Sequence, residues 1–268
     1  MELYHQSGGW KMNVMELFKL NGKTAIITGG GRGLGAMMAE AFAEAGANVV
    51  LCSRKVEACQ ETAAKLEGMG VGTLALACDV TNQEDVENVV QKTLEKFGSI
   101  DILVNNSGAT WGAPVVDMPL DAWKKVMDVN VTGTFLMSRE VGKAMIEQKS
   151  GKIINISSVA GLGGIDPTLM DTIGYNTSKG AVITFTKDLA AKWGQHNINV
   201  NAIAPGFFPT KMSKVVMEKG QEGLLAQTPL NRFGTEEDLK GTALFLASKA
   251  SDYITGDVVV VDGGMHAL

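Results

Sequence analysis

The sequence predicts an α/β protein with one doubly wound domain, in which a parallel sheet carries helices on both faces. Short apolar runs rich in β-branched residues alternate with helical patterns from end to end of its 268 residues. Nearly all of these runs are continuously apolar and do not alternate with polar residues, which is typical of strands buried on both faces. A parallel sheet covered by helices buries its strands in this way.

The pattern places seven strands, at residues 23–29, 47–54, 73–80, 101–108, 151–158, 198–206 and 257–264. Helices are expected near residues 33–45, 55–68, 82–97, 119–147, 172–194 and 235–248. Asn82 is a suitable N-cap, and Thr235 with Asp238 resembles a capping box. No change of composition divides the chain, so we expect residues 1–20 to form an N-terminal extension and residues 21–268 to form the single domain.

The composition excludes several classes of protein. A net charge of −5 lacks the basic excess that nucleic-acid binding needs, and no run reaches the roughly 18 apolar residues of a membrane span. Three cysteines and three histidines show neither zinc-binding spacing nor a disulfide framework, so we expect no metal site. The odd number of cysteines predicts reduced, buried thiols, and the first residues lack a signal-peptide pattern; we therefore expect a cytoplasmic protein.

Doubly wound sheets bind ligands outside the carboxyl ends of their strands, so the residues that follow each strand are informative. The first strand leads into TGGGRGLG, from Thr28 to Gly35, and then into a helix. Glycines let the backbone approach a pyrophosphate closely and begin a helix whose N-terminal amides face the anion. The turn predicts a phosphate site, with a purely structural turn as the alternative, formed by Gly29, Arg32, Gly33, Leu34 and Gly35.

The end of the second strand indicates which dinucleotide binds. An acid at this position usually holds the ribose 2′-hydroxyl of NAD, but this chain has Ser53 followed by Arg54. A serine and a guanidinium can bind a 2′-phosphate, and Arg32 adds a second positive charge nearby. NADP(H) is therefore favoured and NAD(H) remains possible; the alternative is that Arg54 and Lys55 are solvated loop residues.

Three further strand ends carry residues suited to line the same cleft. Asp79 can accept a hydrogen bond from an adenine amino group, and turns of glycine, proline and asparagine follow the fourth and sixth strands. Any one of these turns could be an ordinary loop connection. Five such turns at successive strand ends indicate one binding site. The cofactor contacts predicted there are Asp79, Val80, Asn106, Gly108, Pro205, Gly206, Phe208 and Thr210.

The stretch TIGYNTSKGAV places Tyr175 and Lys179 one helical turn apart on a helix whose apolar stripe runs through residues 182, 185, 189 and 193. A free phenol has a pKa of about 10, and a nearby ammonium favours the phenolate. We therefore expect Lys179 to lower the pKa of Tyr175 and make it a proton donor to a carbonyl or acceptor from an alcohol. Alone, the pair could equally be two snorkelling side chains.

The context favours catalysis. A serine at the end of the fifth strand can share the oxygen that Tyr175 binds, and Asn130 is a polar residue within an apolar helical pattern, suited to a water-linked proton path to Lys179. Of the two adjacent serines, we choose Ser158 over Ser157.

Over about residues 20–264 the chain resembles the short-chain dehydrogenase/reductase family. The resemblance rests, in order, on TGGGRGLG, CDV, NNSG, Asn130, Ser158, Tyr175-x-x-x-Lys179, the Pro205-Gly206 pair and VDGG. It implies a Rossmann-like fold and hydride transfer between a nicotinamide and a small-molecule carbonyl or secondary alcohol. In that family scheme, Tyr175 is the general acid/base and Lys179 also holds the nicotinamide ribose. Ser158 would polarise the substrate oxygen and Asn130 would support the proton relay. The resemblance also implies a homotetramer or homodimer.

Two departures from the family pattern occur. Ser107 replaces an alanine, and the segment between Ser158 and Tyr175 is a few residues longer, which places Leu169 and Met170 near the cleft mouth.

The longer segment, with YNTSKGAV, APGFFPTKM and TEEDLKG, resembles the gluconate 5-dehydrogenase branch, which interconverts a polyol acid and its keto acid. Lys211 or Lys214 could hold the acid. An apolar wall fits a 3-oxoacyl thioester reductase or a general carbonyl reductase equally well, and a non-catalytic NADP(H)-binding sensor or scaffold is the alternative from another class. The predicted wall consists of Trp111, Ile165, Met170, Phe207, Phe208 and Met212.

Overall fold

The computed structural model describes residues 13–211 and 213–268, and its centre is a single sheet of seven parallel strands. The order across the sheet is β3-β2-β1-β4-β5-β6-β7, so the winding direction reverses between β1 and β4. The predicted fold class is confirmed. The strands are β1 (Thr24–Thr28), β2 (Asn48–Ser53), β3 (Thr73–Ala77), β4 (Ile102–Asn105), β5 (Gly151–Ile156), β6 (Ile198–Pro205) and β7 (Val258–Val261).

Helices connect the strands and cover both faces of the sheet. The Asn82 side chain caps one of them by accepting from two backbone amides, and Thr235 and Asp238 form the predicted capping box of another. The helices are α1 (Gly33–Glu44), α2 (Val56–Glu67), α3 (Gln83–Phe97), α4 (Leu120–Met127), α5 (Gly133–Gln148), α6 (Ile173–Trp193), α7 (Lys214–Ala226) and α8 (Glu236–Ala247). A π-helical turn at Asp128–Thr132 joins α4 to α5.

Two apolar cores lie on opposite faces of the sheet. Helices α1 and α8 close one of them around Phe42, and α3 and α5 close the other around Met137. The edge strands are less completely covered: Val260 in β7 remains 37% exposed, because an edge strand has a neighbour on one side only. The prediction of strands buried on both faces therefore holds for the five inner strands and fails at β3 and β7.

Cys52, Cys59 and Cys78 are free and buried, as predicted. Over the described parts of the chain, the helices are all too short or too polar to cross a membrane.

Candidate active site

The carboxyl ends of the strands border one long cleft of about 2290 Å³. Two of the described residues that were predicted to contact cofactor or substrate, Gly35 and Ile165, do not line this cleft. Gly35 lies beneath the glycine turn, where a Cβ would approach the Asn106 side chain to 2.6 Å. The cleft brings the other predicted residues together, namely Gly29, Arg32, Gly33, Leu34, Ser53, Arg54, Asp79, Val80, Asn106, Gly108, Trp111, Ser158, Met170, Tyr175, Lys179, Pro205, Gly206, Phe207, Phe208 and Thr210.

The glycine turn is held by the end of strand β4. Gly29 and Gly33 have φ angles of +64° and +57°, which side-chain-bearing residues rarely adopt. The Asn106 amide donates to the carbonyl oxygens of Thr28, at 2.9 Å, and Gly29, at 3.2 Å. The Thr28 hydroxyl accepts from the backbone amides of Asn106 and Ser107. Thr28 was not singled out from the sequence because its role depends on a partner 78 residues away.

Helix α2 holds the other side of the turn. The Thr62 hydroxyl donates to the Gly31 carbonyl oxygen at 3.1 Å, and the Cys59 thiol donates to Ser53 Oγ at 3.3 Å. Ser53 Oγ in turn donates to the Lys55 carbonyl oxygen at 2.7 Å. The turn and the end of β2 are therefore both fixed to α2, by two residues that the sequence pattern did not identify.

Charged groups surround this end of the cleft. Arg32, Arg54 and Lys55 are exposed. Burial of Asp79 tends to raise its pKa, but hydrogen bonds from the Thr81 amide and hydroxyl, together with the charge of Arg54, hold that pKa below its ordinary value. A fixed carboxylate and two guanidinium groups therefore border the space beside Ser53.

This end of the cleft fits a dinucleotide. The positive-φ glycines leave room for a backbone approach to phosphate, and the following helix α1 directs its first amides toward the same space. No acid stands at the end of β2 to repel a 2′-phosphate.

Tyr175 and Ser158 meet at the other end of the cleft. Tyr175 lies on the first turn of α6, and Ser158 is near enough to the phenol to act to lower its pKa. The neighbouring Ser157 hydroxyl instead donates to the Lys179 carbonyl oxygen at 2.9 Å. Of the two serines, Ser158 is thus the one beside the phenol, and Ser157 fastens strand β5 to α6.

Lys179 is almost fully buried, with 5% of its surface exposed. Its Nζ donates to the Ile156 carbonyl oxygen at 2.7 Å and lies 5.5 Å from the centre of the Tyr175 ring. Burial lowers the pKa of this ammonium to about 8.

The predicted lowering of the Tyr175 pKa is wrong. Burial raises the pKa of the phenol, and Ser158 acts in the opposite direction without overcoming burial. The reason is geometric: the Lys179 ammonium faces the ring and binds the Ile156 carbonyl oxygen, and so gives the phenol oxygen little electrostatic support.

Asn130 lies in the π-helical turn and is buried. Its Oδ1 accepts from the Ala109 amide at 2.7 Å, and its Nδ2 donates to the Ala109 carbonyl oxygen at 2.9 Å and to Ser178 Oγ at 2.8 Å. The Ser178 hydroxyl donates to the Tyr175 carbonyl oxygen at 2.7 Å. The Asn130 side chain therefore joins the loop after β4 to the turn of α6 that carries Tyr175 and does not itself border the cleft.

The remaining part of the cleft, beside Tyr175, has mostly apolar walls. Trp111, Met170 and Phe207 contribute to them, with Lys211 and Lys214 at the margin. Met212, which the sequence also assigned to this wall, lies outside the described residues. Helix α7 adds Met217 and Gln221, which the sequence did not indicate because no strand end or motif marks them.

Comparisons with known proteins agree with this geometry. Residues 29–266 match the family model described as enoyl-(acyl carrier protein) reductase. The chain is 38% identical to the 5-keto-D-gluconate 5-reductase of Escherichia coli (strain K12) over 252 residues, which cover 93% of this chain and 98% of that protein. It is also 38% identical to the 3-oxoacyl-[acyl-carrier-protein] reductase FabG of Thermotoga maritima over 247 residues, 92% of this chain and 99% of that one.

A solved structure is similar over its whole length. The gluconate 5-dehydrogenase of Burkholderia cenocepacia J2315, in complex with NADP and tartrate, superimposes with a TM-score of 0.90 at 35% identity. The match covers 96% of this chain and all of that one.

Proposed function

The chain belongs to the short-chain dehydrogenase/reductase family of oxidoreductases, and we propose that it is an NADP(H)-dependent enzyme that interconverts a small keto acid and its hydroxy acid, in the manner of a gluconate 5-dehydrogenase. The observation that carries the proposal is the single cleft that has Arg32 and Arg54 at one end and the Tyr175, Ser158 and Lys179 cluster at the other.

NADPH is the proposed cofactor. The glycine turn would hold its pyrophosphate, and Ser53, Arg54 and Arg32 would hold its 2′-phosphate through charge-assisted hydrogen bonds. Support comes from the absence of an acid at the end of β2 and from the NADP present in the related Burkholderia structure. When bound, the nicotinamide supplies the hydride that reaches the carbonyl carbon. Residues of this chain carry out the other steps.

Tyr175 and Ser158 are the proposed catalytic residues. The phenol is protonated at neutral pH, so Tyr175 can donate its proton to the carbonyl oxygen as that oxygen gains negative charge, although burial makes the phenol a weaker acid. The Ser158 hydroxyl can donate a hydrogen bond to the same oxygen. The Lys179 ammonium lies against the face of the Tyr175 ring. Asn130, acting through the Ser178 hydroxyl, positions the helical turn that carries Tyr175.

A small acid is the proposed substrate because two cationic residues, Lys211 and Lys214, stand at the margin of an otherwise apolar wall. The relatives named for keto-gluconate and gluconate support this choice. The apolar side chains of Trp111 and Phe207, with the Thermotoga relative, support a 3-oxoacyl thioester as the second candidate.

The test of catalysis is Tyr175→Phe, with Tyr253→Phe as the matched control, since Tyr253 is fully exposed. Loss of the proton donor should lower kcat by about a hundredfold or more, because general acid catalysis contributes roughly 10²–10⁴. The NADPH affinity should change little. Activity of Tyr175→Phe within a few-fold of the wild type would overturn the proposed mechanism.

The test of substrate follows NADPH oxidation with 5-ketogluconate and, separately, with a small aromatic ketone. Faster consumption with the keto acid supports the proposed substrate class. Consumption with the aromatic ketone alone would leave the proton-transfer mechanism intact and reject the keto acid.

The proposed assembly is a cytoplasmic homotetramer or homodimer of a domain that spans residues 21–268, with residues 1–20 as an extension. Three free, buried thiols suit a reducing compartment. The exposed Val260 of edge strand β7 suits contact with a second copy, which light scattering on the purified protein would detect.

A further inference from the structure

The Leu169 side chain, in the segment between β5 and α6, contacts helix α7. Leu169, which is half-buried, lies against Gly223 and Gly220 of α7. A Cβ placed on Gly223 would come within 3.3 Å of Leu169 Cδ2, and one placed on Gly220 would come within 3.9 Å. Because neither position has a side chain, Leu169 packs directly on the helix backbone.

Helix α7 is bent at this contact. Gly220 has φ −121° and ψ 18°, which are not helical values, although the helix continues on both sides of it. Glycine is a common site of helix kinks. The bend and the Leu169 contact therefore coincide within one turn of α7.

The two segments that Leu169 joins both contribute to the cleft lining. Met170 and Thr172 line the cleft from the segment before α6, and Met217 and Gln221 line it from α7. Leu169 precedes Met170 directly in the chain, and Gly220 precedes Gln221. The contact between Leu169 and the glycines thus ties the two lining segments together next to the residues that face substrate.

We infer that Leu169 is a specificity-determining residue that fixes the separation of these two segments and restricts the cleft to short substrates. The inference rests on the proposed function and deepens it, because a fixed wall admits a small keto acid or ketone and disfavours a long 3-oxoacyl chain. Separation of the two walls would break the Leu169 packing on Gly220 and Gly223. Truncation of Leu169 breaks it without touching the catalytic residues.

The experiment compares two ketones that differ only in chain length, ethyl acetoacetate and ethyl 3-oxooctanoate, with NADPH as reductant. Leu169→Ala should raise kcat/KM for the long ester relative to the short one by about tenfold, the scale on which a pocket discriminates by a few methylene groups. The Kd for NADPH should stay unchanged. Pro167→Ala is the control, because Pro167 lies in the same segment with an exposed side chain.

Leu169→Val provides a second variant that keeps most of the apolar side chain. Its ratio of kcat/KM for the long ester to kcat/KM for the short ester should lie between the ratios of the wild type and Leu169→Ala. If the alanine variant fails to fold, the valine variant tests the inference. An unchanged ratio in a folded variant with normal NADPH affinity overturns this inference alone. A wild type that reduces neither ester nor 5-ketogluconate overturns the proposed function and this inference with it.

Discussion

Tyr175 and Lys179 show how burial sets the ionisation of a site. Burial raises the pKa of the phenol and lowers that of the ammonium, so both shifts favour the neutral forms. A neutral phenol is the form that donates a proton, whereas an ammonium in this position lowers the stability of the fold.

The cost of that ammonium should be visible in the pH dependence of stability. An unfolded lysine has a pKa of about 10.4, and Lys179 in the fold has one of about 8. Between these values the unfolded chain holds a proton that the folded chain has released, so rising pH stabilises the fold. Relative to Lys179→Met, the wild-type free energy of unfolding should increase by about 3 kcal/mol from pH 7.5 to pH 10.5.

Urea unfolding of both proteins across this pH range measures the difference. The control is Lys187→Met, which removes an exposed lysine from the same helix. Parallel curves for the wild type and Lys179→Met would contradict the lowered pKa of Lys179.

Arg54 offers a second test at single-residue scale. Arg54→Gln removes a guanidinium from the space beside Ser53, and loss of one or two charge-assisted hydrogen bonds should weaken NADPH binding by about tenfold or more. NADH, which has no 2′-phosphate, should bind with almost unchanged affinity. Fluorescence titration with both nucleotides measures the ratio. The exposed Lys125 on α4, changed to Gln, is the control, and equal effects on NADPH and NADH would contradict the role of Arg54.

At the scale of elements, the π-helical turn at Asp128–Thr132 interrupts the regular helix between α4 and α5. It points Asn130 toward Ala109 and Ser178, so that one side chain connects the loop after β4, the α4–α5 junction and α6. The sequence predicted one helical region over 119–147 but could not predict the π turn, because such turns are rare, only one turn long and marked by no residue pattern of their own.

Asn130→Ala should destabilise the fold and weaken catalysis together. It leaves the half-buried Ala109 amide and carbonyl and the buried Ser178 hydroxyl without the Asn130 side chain, and unpaired buried groups cost about 1–3 kcal/mol. We expect a loss of about 2 kcal/mol in the free energy of unfolding by urea. Gln91→Ala, at an exposed position of α3, should change it by less than about 0.5 kcal/mol. An Asn130→Ala protein as stable as the wild type would contradict the bridging role.

At the scale of the whole molecule, the sequence was sufficient to predict where the strands run and which chain segments end at the cleft. Runs such as ANVVLCSR have only one plausible environment, a strand covered on both sides, and parallel winding brings their carboxyl ends to one edge. The exposure of β3 and β7 was missed because apolar runs do not reveal which strands lie at the edges.

The contacts that the sequence did not predict have a common feature. Each joins two residues that are far apart in the chain: Thr28 and Asn106, Thr62 and Gly31, and Leu169 and Gly223. Each partner alone is an ordinary turn, helix or loop residue. Periodicity and motif spacing act along the chain, so contacts that depend on its folding back on itself require the structure.

The anchoring of the glycine turn and of Ser53 to helix α2 has a consequence for any change of cofactor preference. Replacing Ser53 by an acid would introduce a carboxylate beside the Cys59 thiol and the Lys55 carbonyl oxygen, both of which the serine hydroxyl now contacts. A carboxylate cannot donate to that carbonyl oxygen. A redesign of the cofactor preference toward NAD(H) therefore has to alter α2 along with the end of β2. Where evolution has changed the cofactor preference of such a protein, both segments are expected to have changed together.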